Sequence, residues 1–187
     1  MFKLPWAEVA FRRRCDILKR WPGSGLTRRD VVKNASILCT DYSSANRWDA
    51  VRDTSAEALP WARLQVQSLP NNTTEQLNFL ALLQYSAEAS EHFNQPKAMF
   101  EAFEEQTASV TVLMSVKQQP YTHTDFAEIL RKRSLLLSKH GQPDRARADR
   151  ELGLRIVQEI LEGLPNDAPE RAEVEGMKSH LETLLSK

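Results

Sequence analysis

The chain of 187 residues has little of what most protein chemistry requires. It contains two cysteines, Cys15 and Cys39, and four scattered histidines, His92, His123, His140 and His180. None falls in a Cys-x-x-Cys or Cys/His ligand spacing, which argues against a metal and points to buried thiols in a reducing compartment. The loop Pro22-Gly23-Ser24-Gly25 lacks the strand and the lysine of a phosphate-binding loop. No nucleophile stands with a base, and no paired carboxylates sit in an apolar stretch. The expectation is a non-enzymatic chain with no catalytic residue, cofactor or metal. Apolar runs of membrane-spanning length and a secretory core are both missing. The expected compartment is the cytoplasm, with a mitochondrial alternative because residues 2–21 form a basic amphipathic segment. Glu8 and Asp16 within it are unlike a transit peptide.

Net charge is missing too, since 25 Lys and Arg balance 25 Asp and Glu. The signs are nevertheless segregated. Residues 1–33 carry nine basic against three acidic groups, 34–130 five against twelve, 131–155 eight against three, and 156–187 three against seven. Such blocks can select a partner by its charge.

What the chain does have is helical periodicity. Apolar residues at i, i+3/i+4 spacing predict a first helix over 6–21, with Ala7, Phe11, Cys15, Leu18 and Trp21 on one side. A second runs from an N-cap at Thr27 to about Tyr42. A third starts near Trp48 and is interrupted at Pro60, because an interior proline removes a hydrogen bond and crowds the preceding turn. Thr73 with Gln76 reads as a capping box opening a helix to about His92. Gln95-Pro96 opens the next; its stretch Thr107–Val116 is rich in β-branched residues, but one strand would have no sheet to join. Thr122 with Asp125 starts a helix ended by Gly141, Pro143 starts another ended by Pro165, and Asp167 with Glu170 caps a last one carrying Val174, Met177 and Leu181.

These signals repeat. Caps at Thr27, Thr73, Thr122 and Asp167, terminating prolines at Pro22, Pro70, Pro120 and Pro165, and small residues at Ala50, Ala98 and Ala146 recur every 45 to 50 residues. A fixed period in that range predicts stacked helical hairpins. The expected architecture is all-α, a single domain over 1–187 holding a right-handed array of antiparallel hairpins with seven or eight helices. It divides into a leading half unit (1–22), units over 27–70, 73–120 and 122–165, and a capping helix over 167–187.

Through Gly141-x-x-x-x-Ala146, the apolar helix leading to Leu137, the stop at Pro165, and Ala50 and Ala98, residues 27–187 resemble the tetratricopeptide-repeat superfamily. That family's usual period is about 34, so the second helices here would be some two turns longer, and its glycine position holds Ala45 and Phe93 in the other units. The resemblance implies an α-solenoid that binds proteins along a concave surface lined by the first helices, without catalysis. A subset of the family clamps chaperone C-termini with Lys, Asn and Arg. The corresponding places here hold Ala35, Cys39, Gln84, Glu128 and Lys132, of which only Lys132 matches.

The expected function is therefore an adaptor or scaffold for a protein or peptide partner. Arg131, Lys132, Arg133 and Lys139 would offer a basic groove to an acidic peptide. Trp6 and Phe11, with Val9, would lie exposed at an uncovered end, where the basic N-terminal region and acidic Glu170, Glu173, Glu175 and Glu182 allow end-to-end homo-oligomers. The alternatives are a structural subunit of a larger assembly, a segment of a longer repeat protein, and a nucleic-acid-binding repeat protein. Zero net charge and the lack of aromatics among the arginines argue against the last.

Overall fold

A computed structural model describes residues 4–23, 25–115 and 121–186. Among the described residues there are eight helices and no strand: α1 (Leu4–Arg20), α2 (Gly25–Ser44), α3 (Trp48–Ser68), α4 (Thr73–His92), α5 (Pro96–Ser115), α6 (Tyr121–Lys139), α7 (Pro143–Gly163) and α8 (Arg171–Leu185). The all-α class is as the periodicity predicts. Contacts group the chain into two compact units, Met1–Val116 and Lys117–Lys187. The division falls beside the expected unit boundary at Pro120.

The repeat is sharpest in the turns between paired helices. Each has one left-handed residue, Asn46 (φ 55°), Asn94 (φ 54°) and Gly141 (φ 72°), two positions past the helix end. The residue after it donates back to the helix: Arg47 N to Tyr42 O (2.8 Å), Gln95 N to Ser90 O (2.8 Å) and Gln142 N to Leu137 O (2.9 Å). A second bond closes each turn, from Asn46 to Ser43, Asn94 to Glu91 and Gly141 to Ser138. This six-to-one, five-to-two pair is the Schellman arrangement, which satisfies carbonyls that the helix end leaves open.

The shared turn corrects the register read from small residues. Counting from 46, 94 and 141, the equivalents of Ala146 are Val51 and Met99, and all three are fully buried. Ala50 is half-buried and Ala98 exposed. The counterparts of Gly141 are therefore Asn46 and Asn94, the other residue type that tolerates this conformation, and not Ala45 and Phe93. By the same count His92 and His140 are one position out of step.

The second helices end alike too. Trp21 N, Leu69 N and Leu164 N donate to Ile17 O, Gln65 O and Ile160 O, each just before Pro22, Pro70 or Pro165. A residue before proline is pushed out of the helical region, so the helix stops there. Pro120 lies outside the described residues.

Three expected starts differ. Asn72, extended at φ −86° and ψ 104°, caps α4 by accepting from Glu75 N, so Thr73 is already helical, and Gln76 donates instead to Pro70 O. α8 begins at Arg171, because Pro169 disfavours the helical region for Ala168, and Asp167 sits in the preceding turn. α2 starts at Gly25, ahead of Thr27; the side chain of Thr122 lies outside the described residues. Pro60 does not interrupt α3: it and Ala56, whose carbonyl loses its donor, both lie on the solvent side. α5 stays helical through its β-branched stretch, where Thr107 and Thr111 donate their hydroxyls to Phe103 O and Thr107 O.

In the first unit each helix packs on the next, and α2 also packs on α4. First helices lie side by side, tied by Thr40 to Tyr85 (2.8 Å) and Arg29 to Glu75 (2.9 Å); second helices are bridged by long side chains, Arg63 to Glu105 (2.6 and 2.8 Å) and Lys19 of α1 to Glu57 of α3 (2.8 Å). The hairpin turns meet as well. Trp48 stacks on His92 at 5.5 Å, and the Arg52 guanidinium sits 4.9 Å over the Phe93 ring. In the second unit α6, α7 and α8 pack together around a buried ion pair, with Arg133 bidentate to Asp149 at 2.5 and 2.7 Å.

Two outcomes follow for stability, both readable in urea denaturation. Asn94→Gly should hold or raise the midpoint, while Asn94→Val should cost about 1–2 kcal/mol, because a β-branched residue resists the left-handed region; an unaffected valine variant would rule out that turn. Arg133→Met, which strands a buried carboxylate, should cost about 3–5 kcal/mol, and adding Asp149→Leu should recover most of the loss.

Candidate interaction surfaces

α1 packs on α2 through Phe11, Cys15 and Leu18, all essentially inaccessible. The expectation of an exposed Phe11 is thus incorrect. Phe11 shares its side of the helix with Cys15 and Leu18, and that side is covered. Trp6 stands on the opposite side and is 78% exposed, with Val9 at 58%. Trp21, placed by its spacing on the inward side, is 62% exposed beyond the helix end. Arg13 and Arg20 are exposed and half-buried Ile17 completes the stripe, at the 3–4 residue intervals of one face. Sequence reading missed Arg13, Arg20 and Ile17 as neighbours of Trp6. The spacing 6, 9, 13, 17, 20 was the available signal, but it competed with the equally periodic 11, 15, 18.

Register from the terminating prolines shows what this face is worth. Trp6 stands where α7 has Asp149, Ala10 where it has Gly153, and Ile17 where it has Ile160. All three α7 positions are buried, Asp149 on Arg133 of α6 and Gly153 between Ala127 O of α6 and Leu181 of α8. Conversely, the α7 counterparts of Phe11, Cys15 and Leu18 are Leu154, Gln158 and Leu161, which are half-buried or exposed. α1 has the boundaries of a second helix but turns the face that α7 buries toward solvent.

The expected basic groove on α6 is dispersed. Arg131 is held bidentately by Glu128 one turn earlier, at 2.7 Å twice, and its side chain is 21% exposed. Arg133 points inward to Asp149. Lys132 is half-buried and Lys139 is exposed at the helix end. The four cations therefore do not form one floor, because i, i+1 and i+2 neighbours diverge around a helix.

A polar cleft of about 420 Å³ lies between α1, α2 and α3. Several of its charged groups pair with one another. Arg12 reaches Glu8, Glu8 accepts from Tyr42 Oη at 2.9 Å, and the Arg47 guanidinium lies 4.8 Å over the Tyr42 ring. Burial, then the bond to Glu8, pushes the Tyr42 phenol up to about 12. The cleft fastens α1 to its neighbours. Among the described residues no group of three His, Cys, Asp or Glu could hold a metal ion, and no helix is long and apolar enough to cross a membrane.

The fold and these surfaces define an all-α protein of recurring helical hairpins. The chain matches no protein-family model, no curated protein and no solved structure.

Cys15 and Cys39 are free and buried, and burial raises both thiols to about 12. Unfolded, a thiol ionises near 9.0. Below that pH both states keep the proton and nothing is lost; above it only the unfolded state releases it, so stability falls as pH rises toward 12. Cys39→Ala should therefore flatten the decline in unfolding free energy between pH 9 and 11, measured by urea titration. An unchanged slope would mean that Cys39 ionises freely in the fold.

Proposed function

We propose that this protein is a non-catalytic interaction module, an adaptor or scaffold of tetratricopeptide-like helical hairpins that holds another protein. The observation that carries the reading is the open face of α1, where Trp6 and Val9 stand in solvent on the same side as Arg13 and Arg20. Apolar side chains grouped on one exposed face and rimmed by charge mark interaction sites. Tryptophan and arginine are also the residues that most often dominate binding energy when a partner excludes water from them. The α6 cations contribute less to this reading, since Arg131 and Arg133 already hold carboxylates within their own unit.

The test is a photo-cross-linking residue in place of Val9, compared with one in place of exposed Glu159, in extracts of the protein's own cells. A discrete adduct should form from position 9 and not from 159. Trp6→Ser should weaken that partner by about 2 kcal/mol, the scale of a buried anchor, with the helical circular dichroism unchanged. Equal labelling from both positions would sink the reading.

A further inference from the structure

α8 has an open side of the opposite character. Val174 and Leu181 point inward and are buried. Directly across the helix, Ala172, Gly176, Ser179 and Thr183 recur at i, i+4, i+7 and i+11, and all four are exposed. A Cβ added to Gly176 would meet nothing within 4 Å. Exposed Glu173 borders this shallow stripe on one side, with Glu175 and Glu182 on the other. α1 offers a face of the opposite kind: bulky Trp6, Val9 and Ile17 for the small stripe, and on the same face Arg13 and Arg20, opposite in sign to the acidic borders, where Glu175 and Glu182 also pair with Arg171 and Lys178 one turn away at 3.0 and 3.8 Å. The two helices also match in reach, at about 25 Å for the 17 residues of α1 and about 22 Å for the 15 of α8.

We propose that a second copy of this chain covers the open face of α1 with its α8. This rests on reading that face as a docking surface and names its occupant. Small residues let two helices approach closely, so the Trp6 and Ile17 side chains seat along the Ala172–Thr183 stripe while Arg13 and Arg20 face Glu173 and Glu182. The two surfaces differ, so the contact is heterologous. Each copy carries both surfaces, so the contacts close as a reciprocal pair, close as a ring or run on as a filament.

Sedimentation velocity on the full chain over a wide concentration range tests this. The weight-average mass should at least double with concentration. Arg13→Glu with Arg20→Glu, and separately Glu173→Lys with Glu182→Lys, should each keep the helical circular dichroism and the monomer mass, since like charges then meet. Mixing the two variants should restore association, because the acidic α1 of one then meets the basic α8 of the other. A wild-type chain that stays monomeric throughout, or a mixture that does not associate, overturns the proposal. Either result leaves the docking reading standing if position 9 still cross-links a different protein, whereas loss of that adduct alone removes the docking reading.

Discussion

A helix that must reverse direction within three residues has to place one of them in the left-handed region, and the hairpins of this protein depend on that constraint. Asn46, Asn94 and Gly141 meet it with the same pair of backbone bonds. Once the turn is fixed, the first residue to enter the core is fixed as well, five positions on. That residue is Val51, Met99 or Ala146, three side chains of very different size. Backbone geometry, rather than a shared small residue, therefore keeps the hairpins in step. The other joint needs only a proline, which prevents the preceding residue from continuing the helix.

The interior is held by polar groups as well as apolar ones. Gln106 is fully buried in α5 and donates to Leu80 O and Gln84 of α4. In the second unit Arg150 of α7 joins Ser134 and Ser138 of α6 to Leu184 O of α8, and Arg171 donates to Leu161 O and Leu164 O at the end of α7. The bonds to Leu184 O, Leu161 O and Leu164 O satisfy carbonyls that helix ends leave open, at places where a hydrophobic contact would leave them stranded. They also remove arginines from the surface. A count of cations along α6 and α7 overstates the positive charge available to a partner, because Arg131, Arg133 and Arg150 are already committed inside their unit.

Charge segregation along the chain keeps its meaning at the ends. α1 keeps exposed Arg13 and Arg20 beside exposed apolar side chains, and α8 keeps exposed Glu173, Glu175 and Glu182 beside small ones. An open helix face costs little when polar. It costs more when it carries Trp6 and Val9, whose hydration is unfavourable in proportion to the apolar area left in water. The asymmetry between the two faces links the fold to the proposed role.

Local sequence signals were enough to show that the described residues are helical, where most helices begin and end, and that hairpins recur about every 48 residues. These follow from local physics: periodicity of apolar side chains, prolines that stop a helix, and a glycine that tolerates positive φ. Part of the candidate site was also legible, since the spacing marked α1 as amphipathic and Trp6 was expected to be exposed, as it is. Which of the two apolar stripes is covered depends on packing, because 6, 9, 17 and 11, 15, 18 are equally periodic and α2 covers the second. Tertiary structure likewise turned Arg133 inward to Asp149 and put Asn46 and Asn94 in register with Gly141. Each depends on a partner, or a backbone conformation, that no single stretch of residues specifies.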